Sequence, residues 1–334
     1  MHKPTTQINI EHEETVSPTH LANPLMIENL TKQYAGRPVP AIDKISFTIR
    51  RGEFHAFIGA NGAGKTTSIK SIVGAYARYE GSIKIFGHKN TSKEAKANLG
   101  YIPEKADFPT SMSLAVYLIC MAKLSGKTRK ESKVLVAGIL KTLGMQKVAK
   151  KSPNGFSSGQ KKKVLLAQAL LHNPKLLVMD EPAANLDPKA RMDFFDSLKV
   201  LQKKGVSIMI SSHILAELTK YADSVTIIDG GKVVLSGNLK ELAARDGARY
   251  EIGASDGKVL NHVLRSYGIH FKPTEGGHVI AELPAQDDWF KIQRQLTDRK
   301  VSVRYFMPLA TDLESLYREY VIKGSVDTGI GATA

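Results

Sequence analysis

The chain of 334 residues has a single cysteine, Cys120, and no long apolar stretch. One cysteine cannot build a disulfide framework, so we expect the protein to work in a reducing compartment. The longest strongly apolar run, residues 114–122, is far too short to cross a bilayer. The N-terminus also lacks the basic and then apolar pattern of a signal peptide. These absences predict a cytoplasmic chain that does not itself span a membrane.

Acidic residues are scarce between residues 84 and 163, where four Asp and Glu accompany 17 Lys and Arg. The local net charge of +13 makes up most of the chain's +15. A basic surface of this kind is typical of proteins that bind nucleic acid, ribosomes or an anionic membrane. A lysine-rich face that is merely solvated is the plainer alternative, and composition leaves both open.

Length and composition predict a globular protein of two domains. Residues 1–24 are polar and aperiodic, which predicts a disordered lead. Residues 25–240 alternate strand and helix patterns, which predicts an α/β domain with a mostly parallel core sheet and a helical subdomain at about 105–172. Residues 246–323 follow a β-α-β-β-α-β order, which predicts a small α+β domain. Residues 324–334 form a predicted flexible tail.

Residues 59–67 read GANGAGKTT, the phosphate-loop pattern of Gly, four residues and Gly-Lys-Thr. An apolar strand pattern precedes them and a helical pattern follows, as the motif requires. Loop N–H groups and the helix N-terminus would bind phosphate oxygens. We expect Lys65 to reach the β- and γ-phosphates of ATP and Thr66 to bind Mg²⁺. A glycine-rich turn without a ligand is the alternative. The other predicted binding residues of the loop are Gly59, Asn61, Gly62, Gly64 and Thr67.

Four apolar residues, 176–179, lead directly into Asp180 and Glu181. This pattern predicts a buried parallel strand whose C-terminal end opens into a site. In phosphate-loop nucleotidases an acidic residue at this place holds Mg²⁺, and a neighbour orients the attacking water. We therefore assign Asp180 to the metal and Glu181 to the water. Two charges at a strand end without a ligand are a weaker reading beside the glycine loop.

The sequence FSSGQ at residues 156–160 opens a predicted helix ahead of that strand. With the glycine loop and the acidic pair in this order, residues 25–240 resemble an ATP-binding-cassette (ABC) ATPase, the nucleotide-binding subunit of ABC transporters. The family signature is Leu-Ser-Gly-Gly-Gln, from which Phe156 and Ser158 depart.

The resemblance implies that the remaining signature residues bind ATP held by the opposite subunit, with the helix N-terminus facing its γ-phosphate. These residues are Ser157, Gly159 and Gln160.

Four further residues gain roles from the same resemblance. Tyr34 stands where an aromatic side chain stacks on adenine, with a plain turn tyrosine as the alternative. Asp187 is the acid of the loop that couples two nucleotide sites, and His213 stands at the place of a histidine that contacts the γ-phosphate. Glu104 replaces the usual glutamine, which senses Mg²⁺ and the transmembrane partner. A carboxylate keeps an oxygen ligand for Mg²⁺ but loses the amide donor.

As a whole, the resemblance implies an ATPase that powers a membrane transporter, with ATP and Mg²⁺ as its ligands. It implies a separate transmembrane permease subunit and a head-to-tail homodimer. Glu104 and the helical pattern at residues 313–317 are more similar to exporter-type subunits for drug, lipid or peptide-antibiotic resistance. We expect the protein at the cytoplasmic face of the cell membrane, in peripheral contact with the inner leaflet and without nucleic acid.

Two other functions are alternatives to the transporter. A soluble ABC ATPase acting on ribosomes or DNA would usually carry two cassettes or a long coiled-coil insertion. This chain has one glycine loop, and only 91 residues lie between Lys65 and Ser157. A regulatory nucleotide sensor without activity is disfavoured by the presence of Glu181 and His213.

Overall fold

The structure is a computed structural model, and it describes residues 23–105, 107–212, 215–245, 248–274, 276–283, 286–308 and 313–323. Most of the predicted N-terminal lead, the whole predicted tail and His213 lie outside these ranges. Within them, no helix is long and apolar enough to cross a membrane.

The strands that precede residue 239 form two sheets. In chain order they are β1 Leu25–Lys32, β2 Ile42–Ile49, β3 Phe54–Ile58, β4 Glu80–Ile85, β5 His88–Lys89, β6 Leu99–Ile102, β7 Leu176–Met179, β8 Ser207–Ser212, β9 Ser224–Asp229 and β10 Lys232–Asn238. The first sheet is antiparallel, in the order β2-β1-β4-β5. The central sheet has the order β10-β9-β3-β8-β7-β6 and is parallel except for its β10 edge.

Helices connect these strands and cover the central sheet. In chain order they are α1 Lys65–Ile72, α2 Lys93–Asn98, α3 Leu114–Leu124, α4 Arg129–Thr142, α5 Ser158–Ala169, α6 Pro188–Lys203, α7 Leu215–Leu218 and α8 Leu239–Arg245. Several begin at a side-chain cap, because a cap satisfies N–H groups that the helix itself cannot pair. Thr128 and Glu131 form a capping box on α4. The cluster of α3, α4 and α5 is the helical region that the sequence predicts.

The central strands are buried on both faces. Along β3, Phe54, Ala56 and Ile58 belong to one apolar cluster, whereas Phe57 belongs to the cluster on the opposite face. The four residues of β7 alternate between the same two clusters. A large apolar side chain that is fully buried, such as Phe54 or Phe57, contributes roughly 1.5–3 kcal/mol to the stability of the fold. Because such side chains are buried on both faces of the sheet, they fix the register of the central strands.

A second antiparallel sheet follows with its own core. Its elements are β11 Ala248–Ala254, α9 Gly257–Ser266, β12 Phe271–Pro273, β13 Val279–Leu283, α10 Gln286–Asp298 and β14 Val303–Pro308. The strand order is β12-β13-β11-β14, and the chain order is the predicted β-α-β-β-α-β. Apolar residues of one sheet face, such as Ile252 and Ala281, pack with Leu264 of α9 and Leu296 of α10.

The last described segment returns to the first core. It comprises α11 (Leu313–Tyr317) and a π-helical turn (Arg318–Lys323). Leu313, Leu316 and Val321 are buried in the cluster beneath the central sheet, and the Leu313 N–H donates to Thr219 Oγ1 at 3.2 Å. Residues 313–323 therefore pack with the first core, although the sequence predicts that the small α+β domain runs to residue 323.

A buried polar chain crosses the central sheet at β3. Ser224 Oγ donates to Glu53 Oε2 at 3.0 Å, so it accepts from His55 Nδ1, which lies at 2.8 Å. His55 Nε2 lies 3.0 Å from Thr226 Oγ1. Burial lowers the pKa of His55 to about 3, so the imidazole is neutral and its Nε2 atom accepts from Thr226 Oγ1.

We predict that acid destabilises the protein through His55. Its pKa in the unfolded chain is about 6.5, so the unfolded state takes up the proton first as the pH falls. The stabilisation is complete above pH 6.5 and is lost between about 6.5 and 3, at roughly 1.4 kcal/mol per pH unit. Urea unfolding at pH 7.5 and pH 5 should show a loss larger by roughly 2 kcal/mol in the wild type than in His55→Gln. Equal losses in the two proteins would mean that His55 is not held neutral.

Candidate functional site

The glycine loop lies between β3 and α1 at the C-terminal edge of the central sheet. Gly64 adopts φ +108° directly before α1, and a Cβ there would lie 2.8 Å from the Ala41 carbonyl oxygen. A Cβ at Gly59 would lie 2.3 Å from the carbonyl oxygen of Ile228. Glycine is therefore required at both positions, by backbone angle at one and by close approach of β9 at the other.

Lys65 begins α1, and its side chain turns back across the loop. It is only 7% exposed, and its ammonium group donates to the carbonyl oxygens of Gly59 and Ala60 at 2.8 and 3.2 Å. The same group lies 3.5 Å from Glu181 Oε1. The buried cation is thus surrounded by acceptors, which is the environment that an incoming phosphate would complete.

Asp180 is 2% exposed and lies where β7 ends. Its Oδ1 atom accepts hydrogen bonds from Thr66 Oγ1 at 3.3 Å and from Ser211 Oγ at 2.9 Å. The hydroxyl of Thr66 and the carboxylate of Asp180 are oxygen donors of the kind that a hard divalent cation prefers. The described residues contain no group of three or more His, Cys, Asp and Glu that could hold a metal alone. A cation here would take its remaining ligands from phosphate and water.

Glu181 has an unusual backbone conformation for a non-glycine residue, with φ +44°. Its N–H donates to Ser211 Oγ at 2.9 Å, so the Ser211 hydroxyl joins both acidic residues. A left-handed backbone costs energy and persists where neighbours enforce it, and such residues cluster at functional sites. The Glu181 side chain lies beside Lys65, with Oε1 3.5 Å from the ammonium group.

These residues surround a cavity of 420 Å³. Its lining includes most of the predicted loop residues and two acidic side chains, namely Asn61, Gly62, Gly64, Lys65, Thr66, Thr67, Glu104 and Glu181. Ala184 and Asn185 complete the wall beside Glu181. Gly59 and Asp180 contact this set through Lys65 and Thr66.

A second cavity, of 760 Å³, shares Ala41 and Gly62 with the first and is lined by Tyr34. The Tyr34 hydroxyl lies 3.1 Å from Thr67 Oγ1, and the ring meets Tyr76 edge-on at 5.9 Å between centroids. The ammonium group of Lys32 lies over both rings, at 5.6 and 5.4 Å. This aromatic pair is a suitable wall for a planar base next to the phosphate loop. The sequence does not point to Tyr76, because no motif includes it.

The signature residues lie elsewhere on the molecule. Ser157 caps α5 by accepting from the Gln160 N–H at 3.3 Å, and Gln160 Oε1 accepts in return from the Ser157 N–H at 3.1 Å. A Cβ at Gly159 would lie 2.9 Å from that of Ala190, so α5 passes close to α6 there. In the part of the chain that the structure describes, none of these three lines the 420 Å³ cavity.

Asp187 also serves as a cap, because its Oδ1 accepts from the Ala190 N–H at 2.9 Å at the start of α6. One turn later, Arg191 donates to the Leu186 carbonyl oxygen at 2.9 Å and pairs with Glu217 of α7 at 2.7 Å. No motif in the sequence points to Arg191, which joins the loop at residues 184–187 to α7. No motif includes Ser211 either, because its contacts to Asp180 and Glu181 join two separate strands.

Comparison with known proteins agrees with this geometry. A family profile described as "ABC transporter" matches residues 42–184. A putative ABC transporter ATP-binding protein of Mycoplasma pneumoniae is 39% identical over 282 residues, which are 84% of this chain and 83% of the relative. The bacitracin transport ATP-binding protein BcrA of Enterococcus faecalis is 33% identical, over 72% of this chain and 77% of its own.

A solved ATP-binding subunit of an ABC transporter superposes with a TM-score of 0.59 at 30% identity, covering 66% of this chain and 92% of its own. The predicted fold class, with its mostly parallel core sheet, helical subdomain and small C-terminal α+β region, is confirmed. The chain therefore belongs to the ABC transporter family, as an ATP-binding protein that hydrolyses ATP.

Proposed function

We propose that this chain is the ATP-hydrolysing subunit of a membrane exporter and that it works as a homodimer with a separate permease subunit. The observation that carries the proposal is the one-sided nucleotide cavity. Lys65, Thr66 and Glu181 belong to that cavity, whereas the signature at Ser157 and Gly159 lies apart from it. Each chain thus offers half of two sites, and a symmetric pair would complete both.

The residues divide the chemistry of hydrolysis between them. The loop N–H groups and Lys65 would hold the phosphates, and the Glu181 carboxylate would polarise the attacking water. His213 and the partner subunit's signature residues would contact the γ-phosphate. Asp187 would connect the two sites, and Tyr34 would stack on adenine. Because ATP lies within the interface, its cleavage would remove a bridge between the subunits.

The residues present suit Mg²⁺ as a companion of ATP. The hydroxyl oxygen of Thr66 and the carboxylate oxygen Oδ1 of Asp180 lie 3.3 Å apart. Glu104 offers a further oxygen at the cavity wall. When bound, Mg²⁺ would neutralise charge on the phosphate oxygens.

Membrane attachment is supported by charge and by the relatives. Most of the 17 basic side chains in residues 84–163 are exposed, and this region contains α3 and α4. A basic surface gains roughly 1 kcal/mol per Lys or Arg near an anionic leaflet, screened by salt. The name of the bacitracin transport relative supports a peptide antibiotic or similar amphiphile as the class of cargo.

We predict that Lys65→Ala prevents productive ATP binding. The substitution removes the buried ammonium group, and charge-assisted hydrogen bonds to phosphate are worth enough to weaken binding roughly 100-fold. Lys96→Ala, which removes an exposed lysine from α2, is the matched control and should bind like the wild type. Titration with a fluorescent ATP analogue measures both. Equal affinity of Lys65→Ala and Lys96→Ala would remove Lys65 from the site.

We predict that Glu181→Gln accumulates as an ATP-bound dimer. Lys65, Thr66 and Asp180 remain to bind the nucleotide, whereas loss of the carboxylate should slow turnover by roughly 100-fold or more. Sedimentation should show a dimer for Glu181→Gln with ATP and mainly monomer for the wild type with ADP. A Glu181→Gln protein that stays monomeric at saturating ATP would contradict the homodimer and favour a different cassette as partner.

We predict that the chain isolated from its native membranes brings a hydrophobic subunit with it. Chain held only by lipid charge should leave the membranes in high salt, because salt screens that attraction. The remaining chain should require detergent and should co-purify with a protein containing several apolar spans of roughly 20 residues. Recovery with ribosomes, and none with a membrane protein, would contradict the transporter and favour a soluble ABC ATPase.

A further inference from the structure

Lys162 is a buried lysine in the first turns of α5, which we call the signature helix because it begins at the signature residues. It is 7% exposed, whereas its neighbours Lys161 and Lys163 are half-buried. An isolated ammonium group is costly to bury, so such a residue normally has specific partners. The partners of Lys162 lie outside α5.

Its ammonium group donates to the carbonyl oxygens of Pro103 and Glu104, at 3.2 and 2.5 Å. Both belong to the loop that leaves β6 and carries the Glu104 side chain to the wall of the nucleotide cavity. Hydrogen bonds from a charged donor are roughly twice as strong as neutral ones. Lys162 therefore joins the signature helix to the loop that faces the chain's own nucleotide.

The positive charge of Lys162 is also attracted by three acidic side chains of the site. Burial lowers the pKa of Lys162, and the negative charges of Glu104, Asp180 and Glu181 oppose that shift, with Glu104 contributing most. Glu104 places a carboxylate where the family usually has a neutral glutamine, beside two other acidic residues. A buried cation behind the loop reduces the repulsion that this third carboxylate creates.

We propose that Lys162 is a positioning residue for ATP hydrolysis, which holds the Glu104 loop against the signature helix and offsets the charge of Glu104. Lys162 does not line the 420 Å³ cavity in the described part of the chain, so it acts through the loop. The inference rests on the proposed role of Glu104 at the nucleotide. Through the same hydrogen bonds, Lys162 connects the signature helix, which would contact the partner's ATP, to the loop that lines the chain's own nucleotide cavity.

The test measures kcat and KM for ATP in Lys162→Gln, Lys162→Arg and the control Lys161→Gln, with melting temperatures for all. In Lys162→Gln we expect kcat to fall roughly tenfold while KM changes less than about twofold, because a misplaced loop affects turnover more than binding. Lys162→Arg should retain most activity, because it keeps the charge and the donors. Lys161→Gln removes the same charge one residue away and should behave as the wild type.

The Glu104→Gln background separates positioning from simple support of the fold. Glu104→Gln removes the carboxylate, and its own kcat is the reference for every loss measured in that background. There, Lys162→Gln should cost less than about threefold in kcat, since no carboxylate remains to be offset. Equal fold losses in both backgrounds, or no loss in either, would overturn the proposal. If Lys162→Gln does not fold, a loss of roughly tenfold in the kcat of folded Lys162→Arg would overturn the proposal equally, because arginine keeps the charge and the donors.

The measured reaction is ATP hydrolysis, so the outcome does not depend on the cargo or the membrane partner. Failure of the homodimer would appear separately, as a Glu181→Gln protein that does not dimerise. Lys162→Gln combined with Glu181→Gln should still dimerise with ATP, because the phosphate loop and the signature residues are unchanged.

Discussion

The structure depends on three neighbouring parallel strands that end at one edge of the central sheet. β3 leads into the glycine loop, β7 ends at Asp180, and β8 lies between them and carries Ser211. The register is fixed by side chains buried on both faces, so a slip of one residue would turn apolar groups into the wrong cluster. Because the strands are fixed, the Ser211 hydroxyl can contact Asp180 and the Glu181 N–H at the same time, both at 2.9 Å. The chemistry of the site is thus a consequence of packing that lies beneath it.

Two unfavourable features are concentrated at that edge. Glu181 has a left-handed backbone, and Lys65 is a nearly buried cation. The left-handed backbone of Glu181 costs roughly 1–3 kcal/mol, and it persists because the strands around it are fully packed. Lys65 is stabilised by two loop carbonyls and by Glu181, 3.5 Å away, all of which are contacts that a phosphate group can replace. The site is therefore pre-arranged for an anion, and little reorganisation is needed when the nucleotide binds.

Much of this arrangement is predictable because its signals are local. Glycine spacing reports the loop, and an apolar run ending in two carboxylates reports β7 and the acidic pair. The small α+β region is also predictable, since its strand and helix periods alternate clearly. Contacts between distant elements are not: Lys162 is one of three successive lysines, and nothing in the run indicates which one is buried. Arg191, Tyr76 and the return of α11 to the first core depend on tertiary packing in the same way, because each has a partner far along the chain, namely Glu217, Tyr34 and Thr219.

In the homodimer that we propose, one chain holds half of each site, so hydrolysis requires two chains. The most direct measurement is ATPase activity per chain as a function of protein concentration at saturating ATP, with sedimentation at the same concentrations. For such a dimer we expect activity per chain to rise with concentration and to level off where the dimer predominates. Constant activity per chain at concentrations where sedimentation finds only monomers would contradict it.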